Sequence, residues 1–114
     1  MRFAKFFKYC FLISLIAISC VKIEPKNVVP IEFKEGQKQF HRVCAVCHGA
    51  DVSGGSKAPN LGQEKYFQVS YPNRKIKKTI LNGSTSGAMP SQKSKGTDEE
   101  IIEIIKYIRY VQNK

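Results

Sequence analysis

Cys44-Ala45-Val46-Cys47-His48-Gly49 sets two thiols three positions apart and an imidazole directly after the second. Thiols at that spacing reach the two vinyl groups on one side of a haem and form thioethers. The next residue then places its imidazole under the iron, so C-x-x-C-H reads as a c-type haem attachment site. Gly49 leaves backbone room beside the porphyrin edge. A structural zinc site and a thiol–disulfide exchanger use the same letters. Zinc wants four ligands, usually from two separated half-sites, whereas His41, Cys44, Cys47 and His48 crowd into eight residues. An exchanger calls for a βαβ pattern around the motif, and the flanks here have helical spacing.

A haem iron held by His48 needs its second axial ligand from far along the chain, on the opposite face. Met89, in Ser86-Gly87-Ala88-Met89-Pro90, stands 41 residues past His48 in a glycine-rich loop. A methionine in a polar loop is a poor core filler. Pro90 fixes φ and removes a donor, which stiffens the loop that presents the sulfur.

Upstream, Glu32 to Cys47 carries Phe33, Gly36, Phe40, Val43 and Cys47 at three- and four-residue spacing, one face of a helix. His41 lies on this helix, seven residues before His48, and reads as a surface or rim histidine. Downstream, Ala50 to Gly62 is rich in Gly, Ser, Pro and Asn and reads as loop. Tyr66, Phe67, Val69 and Tyr71 read as a small apolar cluster, expected to pack around the haem rim. Pro72 and Gly83 bracket a helix whose apolar face is Ile76, Ile80 and Leu81. Arg74, Lys75, Lys77 and Lys78 crowd its first turns against the macrodipole, by a few tenths of a kcal/mol each. That patch reads either as a solvated face or as a docking surface. Thr97-Asp98-Glu99-Glu100 is a capping box, followed by Ile101, Ile104, Ile105, Ile108 and Val111 at helical spacing. No segment reads as a strand, so the fold class is all-α with long loops.

The first residues read as an address. Arg2, Lys5 and Lys8 form a basic start, and Phe11 to Ile18 is an apolar stretch of signal length. No apolar run reaches the roughly 18–20 residues that span a bilayer. Small residues at Ala17 and Ser19 suit cleavage just before Cys20, which resembles a bacterial lipoprotein signal in which Cys20 is lipidated; ordinary secretion uses the same cut. The organisation expected is a signal peptide over 1–19, a lipid-anchor cysteine with an extended tether over 20–31, and one monohaem domain over 32–114. The tether contains Pro25 and Pro30, and its ten residues reach at most about 33–36 Å. Stable anchoring takes more than one acyl chain, at about 0.8 kcal/mol per buried methylene.

The full chain has 19 Lys and Arg against 9 Asp and Glu, a net +10. Without residues 1–19 it is +7. Export argues against nucleic acid, so the charge points to an acidic protein partner or an anionic lipid surface.

Taken in order along residues 32–112, these pieces resemble the class I c-type cytochromes, small monohaem electron carriers. Gly36 and Phe40 before Cys44, the Cys44-Cys47-His48 motif, Pro59-Asn60-Leu61, Met89-Pro90 and Tyr107 carry the likeness. The resemblance implies three to four helices wrapped around one covalent haem c. It implies that the Pro59 carbonyl holds the His48 imidazole, that Leu61 lies at the cofactor, and that the last helix crosses the first beside Gly36. There is no tryptophan to donate to a haem propionate. The function expected is one-electron transfer on the periplasmic or cell-envelope side, by a protein that is not itself an enzyme, alone or as a subunit of a larger oxidoreductase. Its partners would be redox proteins with acidic docking surfaces and, through Cys20, a membrane. A haem sensor or peroxidase-like enzyme with a dissociable Met89, and a haem-free thiol–disulfide oxidoreductase, are the alternatives.

Overall fold

Gly36 is where the two main helices meet. In the computed structural model, which describes residues 22–55 and 57–114, helix α1 (Lys34–Val43) crosses the terminal helix α4 (Asp98–Gln112). A Cβ on Gly36 would lie inside the van der Waals shell of the Glu103 carbonyl oxygen and 2.8 Å from Tyr107 Cβ. Only glycine lets the backbones come this close. Phe40, fully buried, and Tyr107, 1% exposed, then meet at 5.5 Å between ring centroids. Phe33 stacks on Tyr110 at 4.4 Å and closes the other end of the crossing. Gly36→Ala is therefore expected to destabilise the holoprotein by about 1–3 kcal/mol, the usual cost of overpacking. Chemical denaturation followed by circular dichroism measures it.

Helix α4 begins as its sequence requires. Thr97 Oγ1 accepts from the Glu100 backbone amide at 3.2 Å, and Glu100 Oε2 accepts from the Thr97 amide at 3.4 Å. Ile101, Ile104, Ile105 and Ile108 then fall on one buried face. Helix α3 (Asn73–Asn82) follows Pro72, ends at Gly83 and packs on α4 through Ile76 and Ile80. The fourth α-helix, α2 (Ala45–His48), is a single turn. Short 3-10 turns at Ile31–Phe33, Ala50–Val52, Glu64–Tyr66 and Lys93–Lys95 punctuate the loops. No strand occurs among the described residues, and the all-α, cytochrome c-like architecture expected from the sequence is the one observed. The signal segment 1–19 and Cys20 lie outside the described residues.

Two local expectations are corrected. The helix over 32–47 is not continuous: Cys44, at φ −101°, separates α1 from α2. Ala45 and His48 are buried, whereas Val43 and Cys47, expected on the inner face, are only half-buried. His41 is not at a rim. It is 8% exposed, with Nδ1 donating to the Gln37 carbonyl at 2.6 Å and Nε2 accepting from the Asp51 amide at 3.0 Å. Both ring nitrogens are satisfied, so burial costs it little.

Tyr107 gives the fold an alkaline limit. Burial, and then the negative charge of Asp51, pushes its phenol up from 10.0 to about 12. A raised folded-state pKa stabilises the neutral form. Its contribution is complete below pH 10 and is lost as the pH rises from 10 through 12. Thermal melts across this window should fall steeply for the native protein and less so for Tyr107→Phe.

Candidate functional site

Three of the residues expected at a haem are brought together by one turn of chain. The amides of Cys47 and His48 both donate to the Cys44 carbonyl, at 3.2 and 2.9 Å, which sets the two sulfurs and the imidazole on a single turn. Both cysteines are free and half-buried. Gly49 ends the turn at φ +78°, where a Cβ would collide with the Gly54 carbonyl. Only glycine allows the loop to fold back there. Gly54 then donates its amide to the His48 carbonyl.

His48 is oriented from outside this turn. Its Nδ1 lies 3.0 Å from the Pro59 carbonyl oxygen. A carbonyl only accepts, so Nδ1 carries a proton, and the neutral ring in this tautomer keeps its lone pair on Nε2. Nε2 has no hydrogen-bond partner among the described residues. An imidazole with Nδ1–H on a backbone carbonyl and a free Nε2 is the state in which histidine binds a metal.

The Pro59 loop is held by the far end of α4. Arg109 donates to the Tyr66 carbonyl at 2.8 Å, to the Tyr71 carbonyl, and to Asn73 Oδ1 at 2.8 Å. Gln112 Nε2 donates to the Leu61 carbonyl at 2.8 Å. Burial pulls the Arg109 pKa below its ordinary value, but the guanidinium stays charged. This clamp escaped the sequence reading. Its only signal there is a polar pair, Arg109 and Gln112, three residues apart on a helix otherwise read by its isoleucines. Leu61 itself packs against the core. Tyr71 spends its hydroxyl on Thr79 Oγ1, at 2.7 Å, and the Tyr66 ring meets the Tyr71 ring edge-on at 5.7 Å.

Met89 is presented by a second stapled loop. Its amide donates to Ser84 Oγ at 3.0 Å, and its carbonyl accepts from the Ser84 amide at 2.9 Å. Ser91 Oγ donates to the Leu81 carbonyl, and the Gln92 amide to Ile80. The loop is thus tied along the C-terminal end of α3. Met89 is partly buried against the same core as Cys44 and Leu61. Pro59 is joined to His48 by a hydrogen bond, whereas Met89 meets the group only through that shared core.

The donor set fits a haem better than it fits the alternatives. Cys44, Leu61, Ile76, Leu81 and Met89 are among the apolar side chains left half-buried against the core. A flat apolar cofactor would cover side chains of this kind. No cluster of three or more His, Cys, Asp or Glu capable of holding a bare metal ion occurs among the described residues. Burial also pushes the Cys44 thiol up to about 12, against a smaller lowering by Arg42. Thiol exchange runs through the thiolate, and this thiol is the reverse of activated.

Comparison with known proteins agrees with the geometry. A family model described as cytochrome c oxidase, cbb3-type, subunit III matches residues 32–108. The chain is also similar to a cbb3-type cytochrome c oxidase subunit CcoP of Rubrivivax gelatinosus, 33% identical over 73 residues. That match covers 64% of this chain and 24% of the relative, so the chain spans about a quarter of the relative's length.

Proposed function

Because the chain belongs to the cbb3-type cytochrome c oxidase subunit III family of c-type cytochromes, we propose that it carries single electrons on a haem c whose iron His48 and Met89 would hold. Its cofactor is a covalent haem c, and its role is electron transfer rather than catalysis of its own. We assign the thioether bonds to Cys44 and Cys47, with Pro59 and Leu61 completing the pocket. The observation that carries this reading is the His48 imidazole, with Nδ1–H on the Pro59 carbonyl at 3.0 Å and Nε2 free, one residue after a half-buried thiol pair.

When bound, the haem supplies a one-electron couple whose potential is raised by Met/His ligation. Everything else is the work of the chain. Pro59 holds the imidazole in one tautomer. Arg109 and Gln112 hold the Pro59–Tyr71 loop to α4, and Ser84 holds Met89. Fixed donors keep the geometry alike in both oxidation states. With His48 and Met89 both holding the iron, no position on it would be left open to oxygen or peroxide.

The setting follows from the first residues. Residues 1–19 direct export and are removed, and Cys20 then carries acyl chains that hold the protein on a membrane face. A relative named as an oxidase subunit supports a place on an electron path into a terminal oxidase. Arg74, Lys75, Lys77 and Lys78 on α3, with Lys93 and Lys95 on the turn packed against that helix, form the basic surface for an acidic redox partner. Electrostatic steering of this kind is screened by salt. The second-order rate of electron transfer with that partner should fall as ionic strength rises, by stopped-flow spectroscopy. A flat profile would remove the basic surface from the assignment.

The test of the whole reading is the visible spectrum of protein matured in an exporting host, oxidised and reduced, with the alkaline pyridine derivative of the haem. A c-type spectrum is expected. A colourless protein with two titratable thiols would overturn it.

A further inference from the structure

Residues 22–30 join Cys20 to the helices, and they do not hang free. The Asp51 carboxylate accepts the backbone amides of Lys26, at 2.9 Å, and Asn27, at 3.3 Å. The Asn27 carbonyl accepts from Gln37 Nε2 at 2.7 Å. Val29 is 5% exposed, and Ile23 packs against the core. Asp51 sits in the left-handed region at φ 54°, followed by Val52 at φ 69°. A β-branched residue there is strained, and such strain persists where surrounding contacts over-determine it. Here the Asp51 amide is held by buried His41, and its carboxylate by the strap. Gln37 and His41 on α1, Asp51 beside the haem-attachment turn, and the strap form one hydrogen-bonded unit.

The consequence is a short leash. Ten free residues after Cys20 would reach about 33–36 Å. With the strap docked, Ile23 is three residue steps from Cys20, a reach of about 10 Å, and Lys26 is six steps from it, about 20 Å. The strap also has an outer side. Val29 is buried, while Val28 and Ile31 are 86% and 78% exposed. Charge does not explain that side: Lys22 and Lys26 are balanced by Glu24 and Glu32, and Lys22 pairs with Glu24 at 3.1 Å.

We infer that Val28 and Ile31 form a membrane-contacting edge that rests in the headgroup–acyl boundary of the bilayer holding the Cys20 acyl chains. The strap thereby sets the height and the orientation of the haem-bearing turn above that membrane. The inference rests on the Cys20 anchor proposed above. Its partner is a lipid surface recognised by apolar contact, so anionic headgroups are not required.

The holoprotein suits the test, because acylation of Cys20 and the thioethers at Cys44 and Cys47 leave an introduced cysteine as the sole thiol. Val28→Cys, Ile31→Cys and Val69→Cys, each spin-labelled, are placed in phosphatidylcholine vesicles. Val69 is 97% exposed, on the turn that Arg109 pins to α4. Labels at 28 and 31 should collide several-fold less with a water-soluble nickel chelate than the label at 69, and more with oxygen. Adding anionic lipid should leave those values unchanged. Equal exposure at all three positions, with acyl chains confirmed on Cys20 by mass spectrometry, would overturn this inference alone. Absence of acyl chains would overturn it together with the anchor. Protection that persists in soluble Cys20→Ser protein would assign the cover to a second copy of the chain and overturn it as well.

Discussion

Cys44→Ala/Cys47→Ala protein, prepared without haem, is expected to show no cooperative thermal transition by circular dichroism. The buried apolar set is small: Phe40 of α1 and Ile101, Ile104, Ile105, Tyr107 and Ile108 of α4 make up most of it, joined by Val29, Ala45, Val52 and Ile80. That single crossing would have to support long stretches without α-helix, from 49 to 72 and from 83 to 97. Around it, Leu61, Ile76, Leu81 and Met89 are only partly buried. A chain of this size buries a smaller fraction of its surface than a large domain does and depends on staples or cofactors. A haem attached at Cys44 and Cys47 would be both, covering half-buried apolar side chains and tying α2 to the core. The expected loss is the whole folding free energy, on the order of 5 kcal/mol or more. A native-like melt of the haem-free variant would show that the α1–α4 crossing suffices alone.

Much of this architecture is legible in the sequence where the signal is local. The capping box at Thr97 and Glu100 is four adjacent letters, and its two hydrogen bonds are both present. The isoleucines of α4 repeat with the helix period and are buried as that period demands. Cys44, Cys47 and His48 share one turn because the motif is itself one turn long. The Pro59 contact was implied by family likeness alone, since nothing local says which carbonyl meets an imidazole 11 residues away.

What stayed hidden is non-local. Arg109 reaches carbonyls 43 and 38 residues away, and Asp51 holds amides 25 and 24 residues before it. Such bonds join loops whose letters carry no periodicity. His41 was misplaced for the same reason. A helical histidine among Lys38 and Arg42 reads as surface until the Asp51 amide, from another element, supplies its second partner. The strap followed suit: two prolines do indicate extended chain, but not what that chain lies against.

Met89→Ala holoprotein should lose the sulfur-to-iron charge-transfer band of the ferric form, with a fall in reduction potential. Axial ligands tune haem potentials over about 0.8 V, so a fall on the order of a tenth of a volt or more is expected. The reduced variant should also bind carbon monoxide at neutral pH, which the native protein should not. The prediction is sharp because few other donors are available. Residues 20–114 contain one methionine, and their second histidine besides His48 is His41. His41 has both ring nitrogens engaged, on Gln37 and Asp51, beneath a core that includes Phe40 and Tyr107. Recruiting it would break both bonds and release the strap. The Met89 loop, by contrast, already holds its sulfur-bearing residue through Ser84 on both sides of the peptide, ahead of a stiffening Pro90. An unchanged spectrum would remove Met89 from the iron. Carbon monoxide binding by the native protein would point instead to a dissociable ligand, and so to a sensor or peroxidase rather than a carrier.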